Sequence, residues 1–136
     1  MSHYEIEEDA VEAMVQFAAA NSNPIVMVNL LSFRDVAIYP PDFDAEPCSG
    51  RAAMKRYQDG SENVRRIAGA RTIWGGAVAQ MAIAPGDEDW DMVALLEYPS
   101  ATAYLTMRAT SEYQAARLHR RAALRDSRLL MSVAWS

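Results

Sequence analysis

Few side chains in this sequence pair reactive chemistry with a placement that would meet a substrate. Asn29 is the one strongly polar residue inside the apolar run Ile25–Phe33, apart from Ser32 near its end. A buried amide without partners costs about 1–3 kcal/mol. Asn29 must therefore bond a neighbouring loop backbone or act as donor and acceptor in a pocket. Tyr57 and Tyr113 fall on two predicted helices. Each is either core or a phenol that orients a ligand, because a buried hydroxyl needs a partner. Arg120 lines up along one helix with Tyr113 and Leu124. From there it would reach a pocket edge and hold a carboxylate through two parallel hydrogen bonds. Asp91 is its expected internal partner if the arginine is only structural. His119 is the one histidine outside the N-terminal tail and the one obvious base near neutral pH. A lone helical histidine is more often a surface residue. Asn29, Tyr57, Tyr113 and Arg120 are thus the candidate ligand-binding residues, and His119 and Tyr57 the weak catalytic candidates.

Other chemistries find no support. Two histidines, His3 and His119, and one cysteine offer no metal-ligand spacing. The single Cys48 excludes an internal disulfide and suits a reducing cytoplasm. It lies in a proline-rich stretch without a nearby base, which argues against a nucleophile. Gly75-Gly76 lacks the context of a phosphate loop or a dinucleotide fingerprint, and in a strand it marks a bulge or a close approach. No cofactor is expected. The net charge of −5 argues against nucleic acid. Arg117, Arg120, Arg121, Arg125 and Arg128 read as a solvated helix face, with an anion site as the second choice. No apolar run approaches the roughly 20 residues of a membrane helix. The acidic N-terminal stretch does not resemble a signal peptide.

The elements that must carry these residues are legible from periodicity. Asp9 and Glu12 fit a capping box, followed by an apolar stripe at Val11, Met14, Val15 and Ala18. Pro24 ends that helix. Ile25–Phe33 is a strand by length and β-branched content. Residues 34–49 form a long acidic loop with Pro40, Pro41 and Pro47. Residues 50–68 read as a helix, closed by Gly69. Residues 71–84 and 89–98 read as strands around a turn at Pro85-Gly86. Ser100 caps the next helix, which breaks at Thr110-Ser111. Ser111 and Gln114 suggest a second capping box, and residues 128–135 a last strand. Residues 1–23 are thus a helical extension and 24–136 the core of one domain.

After its first helix the order is strand, helix, strand, strand, helix, strand. That is the α+β ferredoxin-like order, with helices on one face of an antiparallel sheet. The first strand is apolar on both faces: Val26, Val28 and Leu30 on one, Ile25, Met27, Leu31 and Phe33 on the other. A sheet with one wet face alternates apolar with polar. The chain has too few elements to cover both faces, so a second copy is the expected cover and a homodimer the expected assembly. Trp74 and Trp90 are expected in the core or the dimer interface, or as an aromatic pocket wall.

Glu97-Tyr98-Pro99-Ser100, Ser111-x-Tyr113 and Arg120 together resemble the E-F-P-S … S-x-E-Y … R pattern of the family called domain of unknown function 1330. Gly69-Ala70-Arg71 with Gly75-Gly76 resembles that family's G-G-R … R-G-G segment, and Tyr57 its recurrent tyrosine. The likeness spans about Pro24 to Trp135. Ala70 replaces a usual glycine, and Trp74 stands where arginine is common. The resemblance implies membership of the dimeric α/β-barrel superfamily, with two sheets packed across a two-fold axis. Relatives there include cofactor-independent monooxygenases, isomerases, decarboxylases and stress-response proteins.

Two functions follow as expectations. One is a cofactor-independent enzyme of monooxygenase, isomerase or lyase type acting on a small organic molecule. The other is a non-catalytic small-molecule-binding or stress-related dimer using the same pocket. The loop 34–49 leaves the strand of Asn29 and enters the helix of Tyr57. It is therefore either a lid over that pocket or a disordered surface excursion.

Overall fold

The computed structural model describes residues 2–135. Its order is α1 (Glu8–Ala20), β1 (Ile25–Phe33), α2 (Gly50–Ile67), β2 (Arg71–Ala77), β3 (Met92–Tyr98), α3 (Ala101–Arg108), α4 (Ser111–Ala123) and β4 (Leu124–Val133). The strands form one sheet in the order β2-β3-β1-β4, and every neighbouring pair is antiparallel. This is the ferredoxin-like arrangement read from the sequence. No described helix is long and apolar enough to cross a membrane.

Side-chain parity in β1 divides the molecule. Ile25, Met27, Leu31 and Phe33 are buried beneath the helices. Val26, Val28 and Leu30 point to the opposite face, which no element among the described residues covers, and are only half-buried. In register beside them lie Leu95 and Leu130, and Leu130 is 51% exposed. Trp74 pairs with Leu95 and is 61% exposed on the same face. Trp90, by contrast, is buried, with the Arg128 guanidinium 5.1 Å from its ring centroid.

Several local expectations shift. Helix α1 begins at Glu8 after Glu7, with no side-chain cap, so the Asp9–Glu12 box does not form. Asp9 instead sits in the first turn and accepts from the Ala10 N–H at 2.9 Å. A carboxylate is favourable there because the helix dipole is positive at that end. The break between α3 and α4 falls where expected, but Thr110 rather than Ser111 is the cap, accepting from the Tyr113 N–H at 3.1 Å. Gln114 reaches back to the Arg108 carbonyl. Strand β2 stops at Ala77, short of residue 84, and β3 starts at Met92 rather than Asp89. A register shift between Thr72 and Trp74 places a bulge at Ile73, just before Gly75-Gly76. Strand β4 begins four residues earlier than expected, directly from α4.

Helix α2 ends in a Schellman turn. The Ala70 N–H bonds the Arg65 carbonyl, the Gly69 N–H bonds the Arg66 carbonyl, and Gly69 adopts φ +83°. Its start is tied more tightly. The Gly50 N–H donates to the Arg34 carbonyl at 3.2 Å, and the Arg34 N–H donates to the Ala123 carbonyl at 2.9 Å. The end of β1, the start of α2 and the end of α4 meet at this point. A Cβ on Gly50 would lie 2.1 Å from the Arg34 carbonyl oxygen and 2.8 Å from that of Ala123. Both are backbone atoms, so relief needs main-chain movement. Gly50→Ala should cost about 3 kcal/mol, or roughly 10 °C in melting temperature. A thermal melt within a degree or two of wild type would contradict this tight approach.

Candidate functional site

The helix-facing side of the sheet carries a row that runs Gly75, Ala94, Asn29, Leu129 from β2 to β4. Its neighbours on one side are Thr72, Leu96, Met27 and Met131. Glycine and alanine withdraw side-chain volume from the middle of an otherwise well-filled layer. The helices α2 and α4 cannot settle into the gap, because bulky residues to either side hold them off. The result is a cavity of about 420 Å³ between sheet and helices, within the usual size range of small-ligand pockets.

Asn29, Tyr57, Tyr113 and Arg120 all line this cavity. The Tyr57 and Tyr113 hydroxyls hydrogen-bond each other at 3.1 Å, with the rings edge to face at 6.0 Å between centroids. Arg120 donates to the Asn29 side-chain oxygen and to the Tyr4 carbonyl, both at 3.4 Å. These are long bonds for a guanidinium, and Arg120 has no carboxylate partner among the described residues. Asp91, expected as that partner, is used elsewhere. Its carboxylate accepts from the Phe33 N–H at 2.8 Å, and its own N–H donates to the Leu31 carbonyl, which fastens the end of β1.

Three groups of lining residues escaped the sequence reading. Tyr98 and Tyr104 are buried, stack edge to face, and border the cavity, and their hydroxyls have no hydrogen-bond partner among the described residues. Strand parity was the available signal for Tyr98, which shares a face with Leu96 and Ala94. Arg117 joins Arg120 from the preceding turn of α4. Tyr4, Glu5 and Ile6 lie across the mouth, and nothing in an acidic N-terminal tail pointed there.

A model of the family described as domain of unknown function, DUF1330, matches residues 48–133. The chain belongs to the DUF1330 family. The match takes in α2 through β4 and omits β1, the strand of Asn29. A protein of unknown function from Rhodopseudomonas palustris is 34% identical over 100% of this chain and 99% of its own, with a TM-score of 0.87. A dabb family protein with a ferredoxin-like fold from Mesorhizobium loti is 12% identical, covering 83% of this chain and 98% of its own, with a TM-score of 0.55. The hydroxynitrile lyase from Passiflora edulis is 9% identical over 84% and 95% of the two chains, with a TM-score of 0.52. These last two likenesses show that the DUF1330 chain shares the ferredoxin-like fold. No curated protein matches it.

Two features weighed for the site do not line the cavity. His119 does not line the cavity. Its Nδ1 lies 2.6 Å from the Tyr39 hydroxyl, which also accepts from Arg56 at 3.2 Å. Burial and then the Arg56 charge hold the His119 pKa below its usual value. The reason is its position on α4, turned from the helix face that carries Tyr113, Arg117 and Arg120. None of the residues of the loop 34–49 lines the cavity either. The loop is ordered against α2 and α4 instead. Ala37 bonds Cys48, Ile38 bonds Ala122, and Tyr39 stacks on Phe43.

Burial keeps the phenols of Tyr98, Tyr104 and Tyr113 protonated. It is the main cause raising Tyr104 to about 12 and Tyr113 well above its usual value, with neighbouring phenols adding to the effect, and it pushes Tyr98 up as well. They are therefore hydrogen-bond donors at any physiological pH. Their folded-state pKa values exceed the unfolded value of about 10, so the folded state holds protons that the unfolded chain has released. Stability from this source is intact below about pH 10 and falls as pH rises through about 12. A spectrophotometric titration should find Tyr98, Tyr104 and Tyr113 ionising only together with loss of circular dichroism. Smooth ionisation of all six tyrosines near pH 10 in a folded protein would contradict their burial.

Proposed function

We propose that the chain forms a homodimer through its open sheet face and that each subunit binds a small organic molecule in its cavity. The observation that carries the binding reading is the convergence of Tyr57, Tyr98, Tyr104, Tyr113 and Arg120 on one apolar-floored space of about 420 Å³. Apolar walls with a few converging polar groups are what a specific small-molecule site requires. Asn29, Tyr57, Tyr113 and Arg120 orient the ligand in this reading. The dimer is supported by the apolar row Val28, Leu95, Leu130 and Trp74, of which Leu130 and Trp74 are exposed. A ferredoxin-like protein of unknown function from Bacteroides fragilis, 16% identical, is described as dimeric. A cytoplasmic setting belongs to the same reading and suits the free Cys48.

A second reading, a cofactor-independent enzyme of isomerase, lyase or monooxygenase type, is favoured by the unpartnered phenols of Tyr98 and Tyr104. Protonated donors of this kind stabilise an oxyanion developing on a bound substrate. Against it stands the displacement of His119, which leaves the cavity without an imidazole base.

A thermal-shift panel of small alcohols, ketones and acids tests the cavity. A binder at a hundred times its Kd should stabilise the protein by about 2.7 kcal/mol, or roughly 8 °C. Ala94→Phe, which fills the gap in the central row, should abolish the shift. Stabilisation that survives this change would place binding elsewhere. For the assembly, sedimentation at micromolar concentration should give a dimer for wild type and a monomer for Val28→Glu.

A further inference from the structure

Three arginines of α4 meet one short segment of the chain, residues 4–7, which bridges the cavity mouth. On one side this strap is anchored at His3, whose N–H donates to the Asp126 carboxylate at 2.7 Å and whose carbonyl accepts from the Ser127 hydroxyl at 2.7 Å. On the other side it runs into α1. Between these anchors Glu5 accepts from Arg117 at 2.5 Å, with Arg121 3.9 Å from its other oxygen. The Tyr4 carbonyl accepts from Arg120, and the Tyr4 ring lies under the Arg121 guanidinium at 5.4 Å.

The strap thus supplies acceptors to cations that line the cavity, and it supplies them weakly. About a third of both the Glu5 and Arg117 side chains remains exposed, and exposed ion pairs contribute little. Arg120 keeps only its two long bonds. Arg117 and Arg120 are one turn apart on α4 and both face the cavity. Of the other lining carboxylates, Asp59 is already paired with Lys55 at 3.1 Å, and Glu62 makes no ion pair with Arg117 or Arg120.

The geometry points to a carboxylate subsite at Arg117 and Arg120, in which Glu5 stands in for the acid group of the ligand. This inference rests on the cavity reading above and narrows it. The ligand is a small monocarboxylate with an apolar or aromatic body. Its body lies on the Met27, Leu96 and Leu129 floor among the phenols, and its carboxylate takes the guanidinium donors in bidentate fashion. Glu5 is then an internal competitor that releases Arg117 when the ligand enters. The strap is a carboxylate-operated latch, and selectivity for acids over neutral isosteres is set at the mouth rather than in the cavity.

Isothermal titration of the full chain with phenylacetate and with its neutral isostere phenylacetamide tests the proposal. Wild type should bind the acid more tightly than the amide. Glu5→Gln should bind the acid roughly ten-fold more tightly than wild type and leave the amide unchanged. Arg120→Gln should bind both probes equally. Equal binding of acid and amide by wild type would overturn the carboxylate subsite and leave the cavity reading standing. An equal gain for both probes in Glu5→Gln would reduce the strap to a steric cover and overturn the competition. Binding of neither probe by any variant would overturn both readings. Should Glu5→Gln fold poorly, Glu5→Ala gives the same decision, because it also frees Arg117 of its carboxylate partner and must tighten binding of the acid alone.

Discussion

The central position of β1, with apolar side chains on both of its faces, constrains everything else in this molecule. A strand that pairs on both edges and is apolar above and below must be covered twice. The helices α2, α3 and α4 provide one cover, over Ile25, Met27, Leu31 and Phe33. Val26, Val28 and Leu30 are left with only part of their surface buried. Cα registration carries the same pattern sideways onto β3 and β4, so the uncovered patch is a property of the sheet and not of one strand. Contiguous apolar surface of this kind commonly marks an association site.

The same strand also sets the cavity. Asn29 interrupts the buried row at its midpoint, with Ala94 beside it on β3 and Gly75 beyond that on β2. Replacing bulk with small residues at one level of a packed layer leaves space that the flanking levels prevent from closing. Phenols and guanidinium groups border that space, and two of the phenols lack protein partners. Hydroxyls that border a cavity without protein partners are hydrogen-bonding capacity open to a ligand. The outer face of α4 bonds instead to the ordered 34–49 loop, through Tyr39 and His119. One helix therefore serves two environments, separated by roughly half a turn.

Much of this was legible in the sequence because it depends on short-range periodicity. Strand parity predicted the two faces of β1, and helix spacing brought Tyr113 and Arg120 to one side of α4. Tyr57 joined them across the layer through the ferredoxin-like order alone. What was not legible depends on contacts between distant segments. The partner of Asp91 is the backbone of β1, which no spacing rule reveals. The tail residues Tyr4–Ile6 reach the mouth only because His3 is pinned to β4. The loop 34–49 has ends tied to β1 and α2, as expected, yet packs against the cluster around Phe33 and Met54 rather than over the cavity, with Ile38 bonded to the Ala122 carbonyl at the end of α4. The cap of α4 slipped by one residue because Thr110 and Ser111 are chemically equivalent caps, and only the local backbone decides between them.

The pairing of β1 also governs how the chain reaches its fold. Val28 sits between Leu95 and Leu130, both far along the sequence, while β1 has no strand partner nearby in the chain. Neither edge of the central strand can zip from a hairpin. Its neighbours must first be brought back by the α2–β2–β3 and α4–β4 units. Contacts this non-local slow the search, because chain entropy is lost before the pairings return any stabilisation. During synthesis β1 emerges early and waits, with two apolar faces and two open edges, for partners made near the end. The element that later organises the molecule is therefore its most aggregation-prone segment while the chain is incomplete.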